Sequence, residues 1–467
     1  MMEGAMDPAI EAQIREWRSY LLRRQTIHHV DVDELEDHLR AEMSELGAAG
    51  LSEDESFLVA IKRIGGVHEL SREFARERSA RLWKQLVLAG DSARERPGAE
   101  YAGLVITIGI AILAALAFKV PALFGVDPFG GEGSNNGEVD SEAAFYARNA
   151  SLLTLPFLIG FFAWRRSIRP RVLAALAIPF AAAAAIVNGF PFDHGGDTEA
   201  LAAIHLPIAL WLVSGVAYLA GAWRGDAPRM DFVRFTGEWV IYYALVAFGG
   251  VVLVALTLGV FDAIGIDVEA LVAGWVLPCG AVGAVIVVAW LVEAKQSVIE
   301  NMAPVLTGVF TPLFAVMLVA AIAGMAVTGN FVDADRDVLI LFDLLLVLVV
   351  GLVLYAISAR DGDAKPSLLD WVQLVLVVSA LVIDAFALAA ILGRISEFGW
   401  TPNRTAGLGL NAVLLGNLVW TAWLLAAFLR GKAPFAALER WQTRYIPAYA
   451  AWAAMVVVAF PPLFSFD

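Results

Sequence analysis

Cysteine is almost missing from this chain, since Cys279 is the only one among 467 residues. An intramolecular disulfide and a cysteine-based zinc site are therefore excluded, and the apolar residues around Cys279 predict a small buried side chain. Charged residues are also scarce, at 17% against about 25% in an average soluble domain. The formal net charge of −14 argues against a nucleic-acid partner, which would need a basic surface.

Catalytic signatures are missing as well. The sequence contains no HExxH zinc-protease motif, no GxSxG nucleophile elbow and no phosphate-binding P-loop. We therefore predict that the protein is not an enzyme, that it holds no cofactor or metal, and that it has no ATPase of its own. A cleavable signal peptide is not expected either, because the N-terminus is polar and amphipathic.

Long apolar runs fill the chain from about residue 101 onward. A helix needs about 20 mostly apolar residues to cross a bilayer, because it rises about 1.5 Å per residue. The runs predict spans at 101–119, 146–164, 171–189, 199–222, 236–260, 269–292, 303–328, 338–358, 368–393, 405–429 and 443–464. The predicted fold class is all-α: a polytopic integral membrane bundle of about 11 helices over 101–467, preceded by a soluble helical domain.

The loops between the spans alternate in charge. One set carries Arg and Lys, as in 165–171 and 430–444, whereas the other set carries Asp and Glu with few basic residues. Short basic loops stay in the cytoplasm. The alternation predicts a cytoplasmic N-terminus for a multi-pass membrane protein, with membrane lipids as its immediate partners.

Residues 1–90 predict four soluble helices, joined to the membrane domain by a linker over 91–100. Apolar residues recur at helical spacing from Ile10 onward, and Ser52 with Glu55 forms the pattern of a capping box. A helix–turn–helix that binds DNA is an alternative, but the acidic balance of this segment argues against it.

Histidines in this segment suggest a second alternative, a metal site. His28, His29 and His38 lie near Asp31 and Asp37 in the sequence. They lack a tight ligand pattern such as HxxxH with a third ligand, so we predict surface histidines beside a helix start at Asp31.

Three stretches occur in a characteristic order: WRSYLLRR (17–24), DVDELEDHLRAEMSELGAAGLSEDESFLVAIKRIGG (31–66) and LSREFARERSARLWKQL (70–86). Together they resemble the permease prefix domain, which precedes multi-pass proteins often encoded near PadR-type repressors. The resemblance implies a cytoplasmic adaptor or sensory domain, with a cytoplasmic protein partner bound through residues 7–90. It implies no substrate.

A second resemblance lies near the C-terminal end, in RISEFGWTPNRTAGLGL (394–410). An Arg-containing helix end is followed by Gly, an aromatic residue, Thr-Pro and another Arg. This resembles a motif of an uncharacterised bacterial multi-pass family, classed as a domain of unknown function. The family has no agreed activity, so the resemblance implies no mechanism.

Polar side chains inside the predicted spans are the candidate functional groups. An ionised residue at mid-bilayer costs about 2.5–3.5 kcal/mol on insertion scales. Depth along the spans predicts that Asp343 pairs with Asn411 and that Asp384 pairs with Asn417. The two Asn are six residues apart, so they point about 120° apart on their helix.

Asp370, Gln373 and Asp384 share one helical face, which predicts a partly polar line from the cytoplasmic end to the midplane. The functional hypothesis is that Asp384, with Asp343, lines a cavity for a cation or a proton. The alternative is structural: a protonated carboxyl that hydrogen-bonds across helices.

Charged residues near the span ends have two interpretations. Arg394 and Arg404 flank a predicted outer loop that contains Glu397. They either contact an anion or a lipid head group, or fix the loop through an Arg–carboxylate pair. Glu238 and Glu293, near inner span ends, are predicted to extend their carboxylates towards water.

Two functions remain open at this level. The first is a permease-like protein that moves a small solute or ion under control of the prefix domain. The second is a membrane sensor or assembly protein, in which the bundle recognises a lipid or envelope-stress cue and the prefix domain signals inward. A hydrated cavity at Asp384 would favour transport, whereas a solid core with lipid-filled grooves would favour sensing.

Overall fold

A computed structural model describes Ile10, Ile14 and residues 29–48, 51–52, 55–57, 59–60, 97–126, 141–193, 195–294, 303–328, 336–360, 362 and 364–467. These residues form helices and the turns between them, and they include no strand. The chain divides into two compact units, Met1–Ala93 and Arg94–Asp467.

The first unit has a small apolar core. Helix α1 (His29–Ala48) starts two residues before the predicted position. The buried residues of this core come from three of the predicted helical stripes: Ile10, Ile14, Leu39, Met43, Leu46, Phe57 and Ala60. The fourth predicted helix, most of the linker and His28 lie outside the described residues.

The predicted capping box of the first unit is confirmed. Ser52 donates to Glu55 Oε2 from its backbone N at 3.1 Å and from its Oγ at 2.9 Å, and Glu55 N donates to Ser52 Oγ at 3.4 Å. The hydrogen bonds from Ser52 lower the pKa of the Glu55 carboxyl, because they stabilise its charged form.

In the part of the second unit that the structure describes, eleven helices are long and apolar enough to cross a membrane, as predicted. They are α2 (Pro97–Lys119), α3 (Ser141–Arg166), α4 (Pro170–Gly189), α5 (Asp197–Tyr218), α6 (Asp226–Ala263), α7 (Glu269–Ala294), α8 (Ala303–Thr328), α9 (Arg336–Ala359), α10 (Leu368–Phe398), α11 (Pro402–Leu429) and α12 (Ala436–Leu463). The protein is an all-α, multi-pass membrane protein.

Several of these helices extend beyond their apolar runs. Helix α6 begins at Asp226 instead of near 236, α10 continues to Phe398, and α12 begins at Ala436. Hydropathy identifies only the segment of a helix that lies in the lipid. Backbone hydrogen bonds continue beyond that segment, so the helix extends into its polar flanking residues. We call the end of the bundle that carries the loops 167–169, 219–225, 360–367 and 430–435 the Arg-rich side.

Two large apolar cores and two small clusters form the described part of the membrane unit. The first core is formed almost entirely by α2 to α7, and the second by α8 to α12. We call these groups the first and second half-bundles. Met230 of α6 belongs to the second core and Val457 of α12 to the first, so α6 and α12 join the two half-bundles.

A π-helical turn, Val272–Val276, interrupts α7 just before Pro278. Proline has no backbone N–H, so the carbonyl of Gly274, four residues earlier, loses its α-helical donor. Lys119 Nζ donates to this carbonyl at 2.7 Å and lies 5.0 Å from the ring of Trp275. The buried lysine thus meets an acceptor that the proline has freed.

Candidate functional site

The predicted contact between Asp343 and Asn411 is confirmed. Asn411 Nδ2 donates to Asp343 Oδ1 at 2.7 Å and to the carbonyl of Gly407 at 2.9 Å, which joins α9 to α11. Gly407 lies beside this contact, and a Cβ there would lie 3.4 Å from Asp343 Oδ2. Asn411 is completely buried, and its Oδ1 has no hydrogen-bond partner among the described residues.

Asp384 lies near the middle of α10 and is 0% exposed. Within the part of the chain that the structure describes, neither of its carboxyl oxygens has a hydrogen-bond partner. Asp343 lies close enough to interact with it electrostatically. The predicted pair of Asp384 with Asn417 is therefore wrong, because Asn417 faces the opposite neighbour, α12.

Asn417 belongs to a closed network between α11 and α12. Its Nδ2 donates to Gln442 Oε1 at 2.9 Å, Gln442 Nε2 donates to Thr421 Oγ1 at 2.7 Å, and Thr421 Oγ1 donates to the carbonyl of Asn417 at 2.7 Å. Thr421 Oγ1 also lies 3.2 Å from Asn417 Oδ1. Every side-chain nitrogen and oxygen of the three residues has a partner, so this network holds helices together.

Asp370 is occupied by structural contacts at the start of α10. Its Oδ2 accepts from Ser367 N at 2.7 Å and from Ser367 Oγ at 2.9 Å, which completes a capping box. Arg360 Nε donates to Oδ1 at 2.8 Å. The carboxylate is therefore paired and capped at the Arg-rich side.

The predicted polar face of α10 is confirmed as a buried face. Asp370, Gln373 and Asp384 are 3%, 5% and 0% exposed. Gln373 Nε2 has no hydrogen-bond partner among the described residues. The line is thus satisfied at Asp370, whereas Gln373 Nε2 and both carboxyl oxygens of Asp384 lack a partner among the described residues.

Arg404 fixes the loop between α10 and α11, but not through the predicted carboxylate pair. Its Nη1 donates to the carbonyls of Phe398 at 3.1 Å and Gly399 at 2.8 Å, and its guanidinium lies 5.6 Å from the ring of Phe398. Backbone carbonyls of a loop can accept from an arginine in place of a carboxylate. Arg394 lies one helical turn before Phe398 and is partly buried.

A cavity of about 520 Å³ at the Arg-rich side has no counterpart in the sequence predictions. We call it the charged cavity. It is lined by residues at the ends of α3 and α5, the loop after α5 and the first turns of α6: Arg166, Tyr218, Leu219, Ala222, Pro228, Asp231, Arg234, Phe235 and Glu238.

Glu238 lines this cavity and Glu293 contacts its Arg166, and neither side chain extends into water as predicted. Glu238 is 4% exposed. Glu293 accepts from Arg166 Nη2 at 2.7 Å and lies 3.5 Å from Arg165 Nε. Arg165 and Arg166 of α3 offset the cost of burying the Glu293 carboxylate. The sequence of α7 alone does not identify these partners.

One sequence signal could have revealed the charged cavity. Asp231, Arg234, Phe235 and Glu238 recur at i, i+3, i+4 and i+7, which places them on one helical face. The prediction missed this stripe because it started the span near 236 and assigned the preceding residues to a loop. The helix in fact begins at Asp226.

Comparison of the chain with protein families, with curated proteins and with solved structures gives no match. The resemblances to the permease prefix domain and to the uncharacterised multi-pass family therefore stay predictions.

Proposed function

We propose that this multi-pass membrane protein is permease-like and moves a proton or a monovalent cation, alone or with a small solute, through its second half-bundle. It does so without an ATPase of its own. One observation carries this proposal: Asp384 is a wholly buried carboxyl near the middle of a membrane helix, and the described residues provide neither oxygen with a hydrogen bond.

The energetics of Asp384 favour a transported positive charge. A carboxylate at mid-bilayer is destabilised by about 2.5–3.5 kcal/mol on insertion scales, and lost hydrogen bonds add to this cost. One proton or one monovalent cation neutralises the charge and supplies the missing contacts. When the proton or cation leaves, the carboxylate is again destabilised. Binding of a positive charge at Asp384 is therefore favourable, and its release is costly.

Asp343 and Asn411 extend the site towards the side opposite the Arg-rich side. A negative charge on Asp343 repels one on Asp384, so a bound positive charge would stabilise both carboxylates. Asn411 Oδ1 is another buried acceptor that lacks a partner in the described chain. Gln373 lies on the same face of α10 towards the Arg-rich side. The oxygens of Asp343, Asp384 and Asn411 support a route in which Asp384 is the central site, because protons and hard cations prefer oxygen ligands.

We also propose that the Arg-rich side faces the cytoplasm of a bacterial inner membrane, because short basic loops are retained there. The unit Met1–Ala93 is proposed to act as a cytoplasmic control domain that binds a protein partner, as its resemblance to the prefix domain implies. The alternative function, a membrane sensor or assembly protein, is favoured by one observation, the charged cavity at the Arg-rich side.

Ion flux into liposomes tests the proposal. The purified full chain is reconstituted, and proton, Na⁺ and K⁺ fluxes are measured with internal dyes for the wild type and for Asp384→Asn. We expect flux in the wild type that Asp384→Asn abolishes, whereas the exposed Asp262→Asn, a matched control on α6, retains it. No flux of any of these ions in the wild type, or equal flux in Asp384→Asn, would overturn transport through this site.

A further inference from the structure

The charged cavity combines both signs of charge in equal number. Its ionisable side chains at neutral pH are the cations Arg166 and Arg234 and the anions Asp231 and Glu238. A purely anionic ligand would face two carboxylates, and a purely cationic one would face two guanidinium groups. A ligand that carries both charges matches the lining, because each of its ends meets a group of opposite sign.

Both arginines are held in place by other groups. The guanidinium of Arg166 lies 3.9 Å from the ring of Tyr218 while its Nη2 donates to Glu293 at 2.7 Å. Arg234 Nε donates to the carbonyl of Ser358 at 3.0 Å, and its Nη2 contacts the same oxygen. Among the described residues these bonds use Nε and Nη2 of Arg234, so its Nη1 can donate to an anionic group such as a phosphate.

The charged cavity lies next to an apolar segment of α6 that lipid can contact. The lining residues of α6 lie in its first turns, and the helix continues from them into a strongly apolar segment. In that segment Leu245, Val251 and Leu253 are 60%, 61% and 65% exposed. At 100° per residue these three point in different directions, so acyl chains can surround the far half of α6.

We infer that the charged cavity binds the head group of a zwitterionic phospholipid, with its phosphate at Arg234, its ammonium at the exposed Asp231 one helical turn away, and its acyl chains along the exposed half of α6. The volume of about 520 Å³ lies within the range of about 300–1,000 Å³ that is typical of ligand sites. This site is separate from Asp384 and does not depend on the proposed transport.

Competition between lipids tests the inference. The full chain, purified in detergent, is incubated with equal amounts of phosphatidylethanolamine and phosphatidylglycerol with identical acyl chains, and bound lipids are counted by native mass spectrometry. We expect the wild type to prefer phosphatidylethanolamine, which alone carries an ammonium. Equal retention of the two lipids would overturn the inference.

Variants separate the two ends of the head group. Asp231→Asn should remove the preference, because it removes the charged partner of the ammonium, whereas Arg234→Gln should weaken binding of both lipids by about tenfold. Arg430→Gln, an exposed arginine at the same side, is the matched control and should bind as the wild type does. Asp231 is itself exposed, so its variant tests the site even if Arg234→Gln fails to fold.

A second arm distinguishes a lipid from a soluble zwitterion. Glycerophosphoethanolamine carries the same head group without acyl chains, and we expect it not to compete at equal concentration. Equal competition would assign the cavity to a free zwitterion in place of a lipid. Wild-type lipid preference in both Asp231→Asn and Glu238→Gln would exclude the cavity as the site for either ligand.

Discussion

Two polar clusters lie inside the second half-bundle, and they differ in how far their hydrogen bonds are satisfied. Between α11 and α12, the side chains of Asn417, Thr421 and Gln442 all find partners within the network. Around α10, both oxygens of Asp384 and the Oδ1 of Asn411 are buried without a partner among the described residues. A buried polar residue is therefore a weak functional signal, whereas a buried polar residue that its own protein leaves unsatisfied is a strong one.

The largest difference between the two clusters is expected when Asp384 is replaced. We predict that Asp384→Leu lowers ion flux to the level of empty liposomes while the free energy of unfolding stays the same or rises, because an apolar side chain replaces an unpaired polar one. Liposome flux and thermal unfolding of the same preparation measure the two effects. Lower stability together with normal flux would identify Asp384 as a structural residue.

The opposite outcome is expected at the satisfied network. Gln442→Leu should lower the free energy of unfolding by about 1–3 kcal/mol, because Asn417 Nδ2 loses its acceptor inside the bundle. Ion flux per folded molecule should be unchanged. A flux defect as large as that of Asp384→Leu would show that the two clusters act together.

Asp343 should give an intermediate effect. In Asp343→Asn an amide oxygen can still accept from Asn411 Nδ2, so stability should change by less than about 1 kcal/mol. The negative charge next to Asp384 is lost, so we expect flux to fall several-fold without being abolished. Flux at the wild-type rate would remove Asp343 from the proposed route.

The smallest effect is expected at Gly407. A Cβ in Gly407→Ala would lie 3.4 Å from Asp343 Oδ2, so the carboxylate needs to shift by only a few tenths of an ångström. We expect flux within about twofold of the wild type and a stability change below about 1 kcal/mol. A larger loss of flux would show that the spacing between Asp343 and Asn411 is critical.

Local patterns in the sequence were sufficient to predict the fold class and part of the site. Eleven apolar runs predicted eleven membrane helices, and the spacing of Ser52 and Glu55 predicted a capping box. Depth along two helices correctly paired Asp343 with Asn411. Hydropathy, capping and rise per residue depend only on neighbours in the chain, so the sequence alone determines them.

Only the tertiary structure decided which neighbour each polar face meets. The rotation of α11 turns Asn417 to Gln442, and the Asp384 carboxyl has no hydrogen bond among the described residues. Arg166, from another helix, makes the buried carboxylate of Glu293 stable, and the early start of α6 creates the charged cavity. These outcomes depend on how separate helices rotate and pack against one another, and a periodic pattern along one helix contains no information about its partner's rotation.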